Sequence, residues 1–312
     1  MIELIIDTDP GADDAVALLL AMASPEALRL HAITTVAGNV PVTTTSRNAR
    51  LVRQWAGCEQ IPVYAGAATP LRRAPVYATD VHGDQGMPGV AIEEPRAPLA
   101  GGDAVQYLVD TLLAAAPASI TLALLGPQTN LALALARAPG IRRGIKQVVA
   151  MAGAHFNGGN ITPVAEFNLF ADPHAAEAVL ASGVPLTYLP LDLTHTLLAL
   201  PERLARLAAL GNQAGARVEA IIRHYAQHDI ARYGMAGGPV HDATVIAYLL
   251  APELFSGRDL YLQVDAREGM GFGQSVADYH GVLGQPANVH WVERGDAEGF
   301  FELLAARLRR LA

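Results

Sequence analysis

Short apolar runs alternate with amphipathic stretches over the first two thirds of the chain, and this alternation constrains the fold more than any other feature. Leu30–Val36 is rich in β-branched residues, and the amphipathic stretch TTTSRNARLVRQWAG follows it. Ser119–Gly126 is almost entirely apolar and precedes the helical stretch TNLALALARAP. Apolar strands separated by helices are typical of a parallel sheet covered on both faces. The sequence therefore predicts an α/β fold with a mostly parallel open sheet flanked by helices.

The pattern changes after Pro201, where the sequence is rich in predicted helix up to Phe255. A pair of strands around DLYLQVD and NVHWVE follows, and the helical segment AEGFFELLAARLRRL closes the chain. No linker, repeat or low-complexity tract separates these parts. We therefore predict a single domain over residues 1–312, with a helix-rich C-terminal insertion.

Four aspartates occur within eight positions after the first predicted strand, in the segment IIDTDPGADDAVALLL. Two carboxylates about 4 Å apart repel by about 4 kcal/mol at an effective dielectric constant of about 20. Helix capping by Asp9, with Pro10 as the first helical residue, accounts for one of them, and the helix dipole favours Asp13 and Asp14. Capping does not explain four carboxylates, whereas a divalent cation would remove their repulsion, and oxygen ligands favour Ca²⁺ or Mg²⁺.

Conspicuous residues follow the ends of three predicted strands. Asp7 and Asp9 come after the first strand, Asn39 after the second and Gly126 after the fourth. In open parallel sheets, ligands bind in the crevice outside the carboxyl ends of the strands. The predicted topology therefore places these residues where a binding site is expected.

Two other types of metal site were compared with the aspartate cluster. An EF-hand loop that starts at Asp7 needs glutamate at its twelfth position, where this chain has Leu18, and a helix before it. A phosphatase of the haloacid dehalogenase type also starts with a strand and Asp-x-Asp and binds Mg²⁺. That motif requires Thr or Val where Gly11 stands, and a lysine for the phosphate, for which Lys146 is the single candidate. The phosphatase remains an alternative.

Composition excludes several classes of partner. The net charge is −8 and the arginines are scattered, so no basic stripe is available for nucleic acid. Cys58 is the single cysteine, which excludes an intrachain disulfide and a cysteine-based zinc cluster. The N-terminus lacks a basic n-region, and the apolar stretch Ala15–Ala23 is too short to span a bilayer. We therefore expect a cytoplasmic enzyme with no membrane partner.

The segment DTDPGADDA resembles the N-terminal signature of the inosine–uridine-preferring nucleoside hydrolases. Five further segments resemble motifs of that family, in the family's order: ITTVAGNV, HGDQGMPG, LLGPQTNLALAL, GGNITPVAEFNLFADPHAA and GGPVHDATVIAYL. Together the six motifs cover the chain from Met1 to about Leu250. The resemblance implies a Rossmann-like core, Ca²⁺-dependent hydrolysis of ribonucleosides to free base and ribose, and a homodimer or homotetramer.

The resemblance also assigns a role to individual residues of this chain. Asp9, Asp14 and Asp242 would bind Ca²⁺ through their side chains, and Leu125, a position that is often Thr in the family, through its carbonyl oxygen. Asp9 would also be the general base for the attacking water, and His241 would assist the leaving base. The residues implied for substrate binding are Asp13, Asn39 and Asn168 for the ribose diol, Asn160 and Glu166 for the 5′-hydroxyl, and His82, Phe167, Tyr225, His228 and Tyr233 as candidates for the base.

Local spacing adds one structural expectation. Glu166 and Asn168 are two residues apart, so in an extended segment both side chains point the same way and Phe167 points elsewhere.

The acidic character of the predicted site favours an uncharged nucleoside over a nucleotide, because a phosphate would meet several carboxylates and no lysine. Purine-specific members of the family stack the base between tryptophans, but Trp55 and Trp291 lie outside the candidate loops. The sequence therefore favours a nonspecific or pyrimidine-preferring enzyme. A nucleoside- or ribose-binding protein without catalysis is a further alternative.

Overall fold

The computed structural model describes residues 1–101 and 103–311. In that part of the chain, nine strands form one open sheet in the order β10-β9-β11-β6-β5-β4-β1-β2-β3. The strands from β11 to β3 pair in parallel, and β9 is antiparallel to both β10 and β11. The nine strands are β1 (Ile2–Thr8), β2 (Leu28–Thr35), β3 (Val63–Ala65), β4 (Ile120–Leu124), β5 (Ile145–Met151), β6 (Leu186–Leu189), β9 (Phe255–Val264), β10 (Ser275–Asp278) and β11 (Val289–Gly295).

Helices cover both faces of this sheet, which confirms the predicted fold class. The helices are α1 (Ala12–Met22), α2 (Val42–Trp55), α3 (Thr79–His82), α4 (Ala104–Ala114), α5 (Thr129–Arg137), α6 (Phe167–Ala171), α7 (Pro173–Leu180), α8 (Leu191–Thr194), α9 (Pro201–Ala208), α10 (Gln213–Tyr233), α11 (Ala243–Leu250) and α12 (Ala297–Leu308). A short antiparallel pair, β7 (Leu198–Ala199) and β8 (Gly238–Pro239), lies outside the main sheet.

Successive side chains of β1 point to opposite faces of the sheet and therefore pack into two separate layers of the core. Leu4 and Ile6 pack into a cluster with α1, α11 and α12, whereas Ile5 packs into a cluster with α4, α5 and α7. Helix α1 is buried along its whole length because it lies under α2, α10 and α11. The first strand and helix are therefore held on all sides, and the loop between them is anchored at both ends.

Two local expectations differ from the structure, and one strand was not expected. Helix α1 begins at Ala12 with Gly11 as its N-cap residue, so Asp9 and Pro10 precede the helix; the Asp14 carboxylate accepts the Gly11 N–H at 2.9 Å. Strand β10, an edge strand with polar residues Ser275 and Asp278 at its two ends, was not predicted. The segment from Glu166 to Asn168 is not extended, since Phe167 begins helix α6.

The region after Pro201 is helix-rich as predicted, with α9, α10 and α11 in succession. Helix α10 is 21 residues long and ends at Tyr233; Gly234 caps it with a φ of +66°, which suits glycine. Among the described residues, no helix combines the length and hydropathy needed to cross a membrane.

Candidate active site

The carboxyl ends of three neighbouring strands deliver the predicted site residues to one edge of the sheet. Asp9 follows β1, Asn39 follows β2 and Leu125 follows β4. Asp13 and Asp14 open helix α1, and Asp242 immediately precedes α11. One carboxylate oxygen from each of the last three aspartates lies within 4.8 Å of the other two.

The Asp9 carboxylate is completely buried beside this cluster. Its Oδ2 accepts the backbone N–H of Asn39 at 2.7 Å, and its Oδ1 has no hydrogen-bond partner among the described residues. A Cβ at Gly38 would lie 2.0 Å from Asp9 Oδ2, and one at Gly126 would lie 2.4 Å from Oδ1. Glycine is required at both positions, because any side chain there would occupy the space of the carboxylate.

Burial controls the electrostatics of the cluster. Burial, and then the charge of Asp14, raise the pKa of Asp13 to about 7. Burial and neighbouring carboxylates raise the pKa of Asp9 and Asp242 well above the usual range. In residues 1–101 and 103–311, no lysine or arginine forms an ion pair with these aspartates.

These observations fit a divalent cation. The donors are hard oxygen atoms. Among residues 1–101 and 103–311, Asp9 Oδ1 lacks a hydrogen-bond partner and no ion pair supplies positive charge where the carboxylates meet. The three carboxylates whose oxygens lie within 4.8 Å of one another are Asp14, Asp242 and Asp13, and the resemblance had assigned Asp13 to the sugar. Asp9 borders this cluster, and its assignment as a ligand stays a prediction.

Amide side chains surround the carboxylates. Asn39 Nδ2 donates to Asp14 Oδ2 at 3.0 Å, and Asn168 Nδ2 donates to the carbonyl oxygens of Leu125 and Met151 at 2.8 and 3.1 Å. Each amide is therefore held in one orientation at the edge of the cluster. The Leu125 carbonyl oxygen, which was predicted as a metal ligand, is one of the two carbonyl acceptors of the Asn168 amide.

Glu166 is the N-cap residue of α6, which explains why the extended geometry predicted for this segment is wrong. Its carboxylate accepts the N–H groups of Asn168 at 2.7 Å, Leu169 at 3.2 Å and Gly153 at 3.1 Å. Burial nevertheless raises the pKa of Glu166 to about 7. Asn160 stabilises the same turn, since its Oδ1 accepts the N–H of Phe167 at 2.9 Å.

A single cavity joins these groups to the residues proposed for the base. The ten residues predicted to bind substrate all line it, as do His241, Asp242 and the carbonyl-bearing Leu125. Asp9 and Asp14 lie beneath its floor rather than in its lining. The lining residues that sequence reasoning missed are Tyr77, Ala78, Asp80, Val81, Met151, Ile161, His195, Asp229 and Arg232.

His82 connects the cavity wall to the aspartate loop. Its Nδ1 accepts the backbone N–H of Ala12 at 3.0 Å, so the neutral ring carries its proton on Nε2. Burial lowers the pKa of His82 to about 3, which keeps the ring neutral. The ring also lies 5.4 Å from that of Tyr225.

His241 is held by Thr194, whose Oγ1 lies 2.7 Å from the imidazole Nδ1. Burial, and then the neighbouring rings of His195 and His82, lower the pKa of His241 well below its usual range. His241 is a neutral imidazole with one N–H to donate.

Helix α10 forms one wall of the cavity. Tyr225, His228 and Tyr233 were predicted here, and Asp229 and Arg232 lie on the same face. These five residues follow the spacing i, i+3, i+4, i+7 and i+8 of a single helix face. Applying this spacing to the sequence would have found the two missed residues.

Neither tryptophan reaches the cavity. Trp291 is fully buried in β11, and Trp55, at the end of α2, is half-buried with Arg217 over its ring. The single lysine, Lys146, is exposed at the amino end of β5, the edge of the sheet opposite the carboxylates. The phosphatase alternative therefore lacks its phosphate-holding residue.

Acidic and amide side chains lie at the carboxyl ends of the strands of an open parallel sheet. This arrangement is typical of a protein that binds a small polar molecule at that edge of the sheet. The sequence profile described as "Inosine-uridine preferring nucleoside hydrolase" matches residues 4–302. The chain therefore belongs to the inosine-uridine preferring nucleoside hydrolase family and is a nucleoside hydrolase.

Individual relatives cover nearly the whole chain. An uncharacterized protein of Schizosaccharomyces pombe is 47% identical over 309 residues, 99% of each chain. The pyrimidine-specific ribonucleoside hydrolase RihB of Escherichia coli O157:H7 is 40% identical over 98% of this chain and 97% of its own. Among solved structures, a plant nucleoside hydrolase matches with a TM-score of 0.91 at 30% identity, and a purine-preferring ribonucleoside hydrolase from Gardnerella vaginalis with 0.90 at 27%, each over 98% of both chains.

Proposed function

We propose that this chain hydrolyses the N-glycosidic bond of ribonucleosides with Ca²⁺ as its resident metal, and that pyrimidine nucleosides are its better substrates. The observation that carries the proposal is the cavity in which sugar-binding, acidic and leaving-group residues meet. We also propose that the chain acts as a homodimer or homotetramer, which light scattering of the purified protein would test.

The metal would be held by Asp9, Asp14, Asp242 and the Leu125 carbonyl. When bound, Ca²⁺ supplies positive charge that orients the ribose hydroxyls and makes a water molecule more acidic. Ca²⁺ is favoured over Mg²⁺ because it accepts a larger and less regular set of oxygen ligands, including backbone carbonyls.

The ribose would lie on the floor of the cavity. Asp13, Asn39 and Asn168 face it and suit the vicinal hydroxyls, which both donate and accept hydrogen bonds. Asn160 and Glu166 suit the 5′-hydroxyl. The acidic floor favours uncharged nucleosides, because a phosphate there would be repelled.

Bond cleavage would pass through an oxocarbenium-like transition state in which the anomeric carbon becomes cationic. The buried carboxylates under the ribose stabilise that positive charge, and no later reorganisation is needed because they are already fixed. Asp9 is suited to take a proton from the attacking water, since its Oδ1 has no partner among the described residues.

His241 would donate a hydrogen bond to the departing base. If the Thr194 hydroxyl donates to Nδ1 of His241, the neutral imidazole carries its proton on Nε2. That N–H would then be the donor to the base. We expect His241→Ala to lower kcat by about 10²-fold or more for uridine, whose base is a poor leaving group, and far less for a p-nitrophenyl riboside. Equal losses for the two substrates, measured by initial rates, would contradict the leaving-group role.

The preference for pyrimidines is supported by two observations. The cavity lacks tryptophan in its lining and offers Tyr77, Phe167 and Tyr225 instead. The 40%-identical relative RihB is named a pyrimidine-specific ribonucleoside hydrolase.

Measuring base release from uridine, cytidine, inosine and adenosine tests the proposal. We expect turnover of ribonucleosides with the pyrimidine nucleosides ahead, and loss of activity in chelator. Tight nucleoside binding without base release from any of the four would instead favour a binding protein. Turnover led by inosine and adenosine would contradict the proposed preference.

A further inference from the structure

Asp229 is an acidic residue in the wall of the cavity that has no role in the scheme above. It lies on α10 and is 7% exposed. Its Oδ2 is buried and has no hydrogen-bond partner among the described residues. A buried carboxyl oxygen without a donor is unfavourable, so a ligand that supplies a donor would be stabilised there.

Nearby cations do not satisfy this carboxyl group. Arg232 is three residues further along α10, but within the described chain no arginine, lysine or histidine nitrogen lies within 4.0 Å of the Asp229 carboxylate. The Arg232 guanidinium instead lies 5.5 Å from the centre of the Tyr233 ring. Burial raises the pKa of Asp229 to about 6, and the charge of Arg232 opposes that increase.

The position of Asp229 points to the base rather than to the sugar. The groups that suit the ribose hydroxyls lie after the strand ends, in the first turn of α1 and from the loop before α6 into its first turn, on the floor of the cavity. Asp229 belongs to the wall formed by α10, together with Tyr225. The histidine proposed for the leaving base, His241, lies 6.3 Å from Tyr225 between ring centres.

We propose, on the basis of the nucleoside hydrolysis proposed above, that Asp229 is a specificity-determining residue that accepts a hydrogen bond from the amino group of cytosine and so favours cytidine over uridine. Uracil carries a carbonyl oxygen where cytosine carries this amino group. An ionised Asp229 accepts from the amino group and repels the carbonyl oxygen. A protonated Asp229 would pair with either base, because its O–H can donate to cytosine N3 or to uracil O4 and its carbonyl oxygen can accept from the cytosine amino group or from uracil N3–H. The ionised form therefore carries the proposed preference for cytosine.

The test compares kcat/KM for cytidine and for uridine on the same enzyme preparation. Their ratio is independent of the fraction of folded, active protein, so a partly unstable variant remains informative. We expect the unmodified protein to favour cytidine and Asp229→Asn to lower the ratio by about tenfold, because a hydrogen bond to a charged group contributes on that order. The asparagine amide can donate to the uracil carbonyl, which also raises the rate for uridine.

Two further variants sharpen the result. Asp229→Ala removes the acceptor and should bring the ratio towards one. Asp84→Asn removes the same charge from an exposed residue outside the cavity lining and should leave the ratio unchanged. A ratio within twofold of the unmodified value in both Asp229 variants, or an unmodified enzyme that prefers uridine, would overturn the inference. Hydrolysis of neither nucleoside by the unmodified protein would instead overturn the proposed function.

Discussion

Asp9→Asn is expected to lower kcat for uridine by about 10²–10⁴-fold while the protein stays folded. The change removes the negative charge and the basicity of a buried carboxylate but keeps its shape. An asparagine oxygen can still accept the Asn39 N–H that Asp9 Oδ2 accepts at 2.7 Å. The substitution therefore removes chemistry and leaves most of the local packing intact.

The matched control is Asp7→Asn, the same change two residues earlier on β1. The Asp7 side chain is also buried, but its Oδ1 accepts from Thr34 and Asn130, two residues that do not line the cavity. We expect its kcat to fall less than tenfold, with thermal denaturation showing that both variants fold. Turnover by Asp9→Asn within tenfold of the unmodified enzyme would place the general base elsewhere.

Removing divalent metal is expected to abolish turnover and to lower the melting temperature by roughly 5–10 °C. Carboxylates whose oxygens lie within 4.8 Å repel one another without a cation. A ligand at about a thousand times its Kd stabilises the native state by about 4 kcal/mol, which gives a shift of that size for a chain of this length. Melting curves in chelator, in excess Ca²⁺ and in excess Mg²⁺ measure this shift in melting temperature independently of activity.

Asp242→Asn tests whether the stabilisation comes from the acidic cluster. This variant should lose most of the Ca²⁺-dependent shift, whereas Asp110→Asn, on the exposed face of α4, should keep it. Titration calorimetry should give one Ca²⁺ per chain for the unmodified protein. Identical melting curves with Ca²⁺ and with chelator would contradict the metal site, and a larger shift with Mg²⁺ would contradict the choice of Ca²⁺.

Most of the architecture could be predicted because it follows from periodicity. Apolar runs separated by helical stretches predicted the parallel sheet, and the rule for strand ends placed Asp9, Asn39 and Gly126 at one edge. The requirement for glycine at positions 38 and 126 could not be predicted from the sequence, because both residues leave space for the carboxylate of Asp9, which is distant in the sequence.

What the sequence did not predict depends on contacts with distant partners. Glu166 was expected in an extended segment, but its carboxylate caps a helix and also accepts an N–H from Gly153 after another strand. The lowered pKa of His241 depends on burial and on His195 and His82, which come from other segments of the chain. Asp229 was overlooked because an acidic residue in a long helix is usually a solvated one.

The hydrogen bond from Ala12 N–H to His82 Nδ1 ties two properties of the enzyme together. The imidazole forms part of the wall of the cavity, and the same ring fixes the first turn of the helix that carries Asp13 and Asp14. Anyone who redesigns position 82 to accept a different base will therefore also disturb the acidic loop. Helix α10, which has no hydrogen bond to that loop among the described residues, is the better place to engineer selectivity.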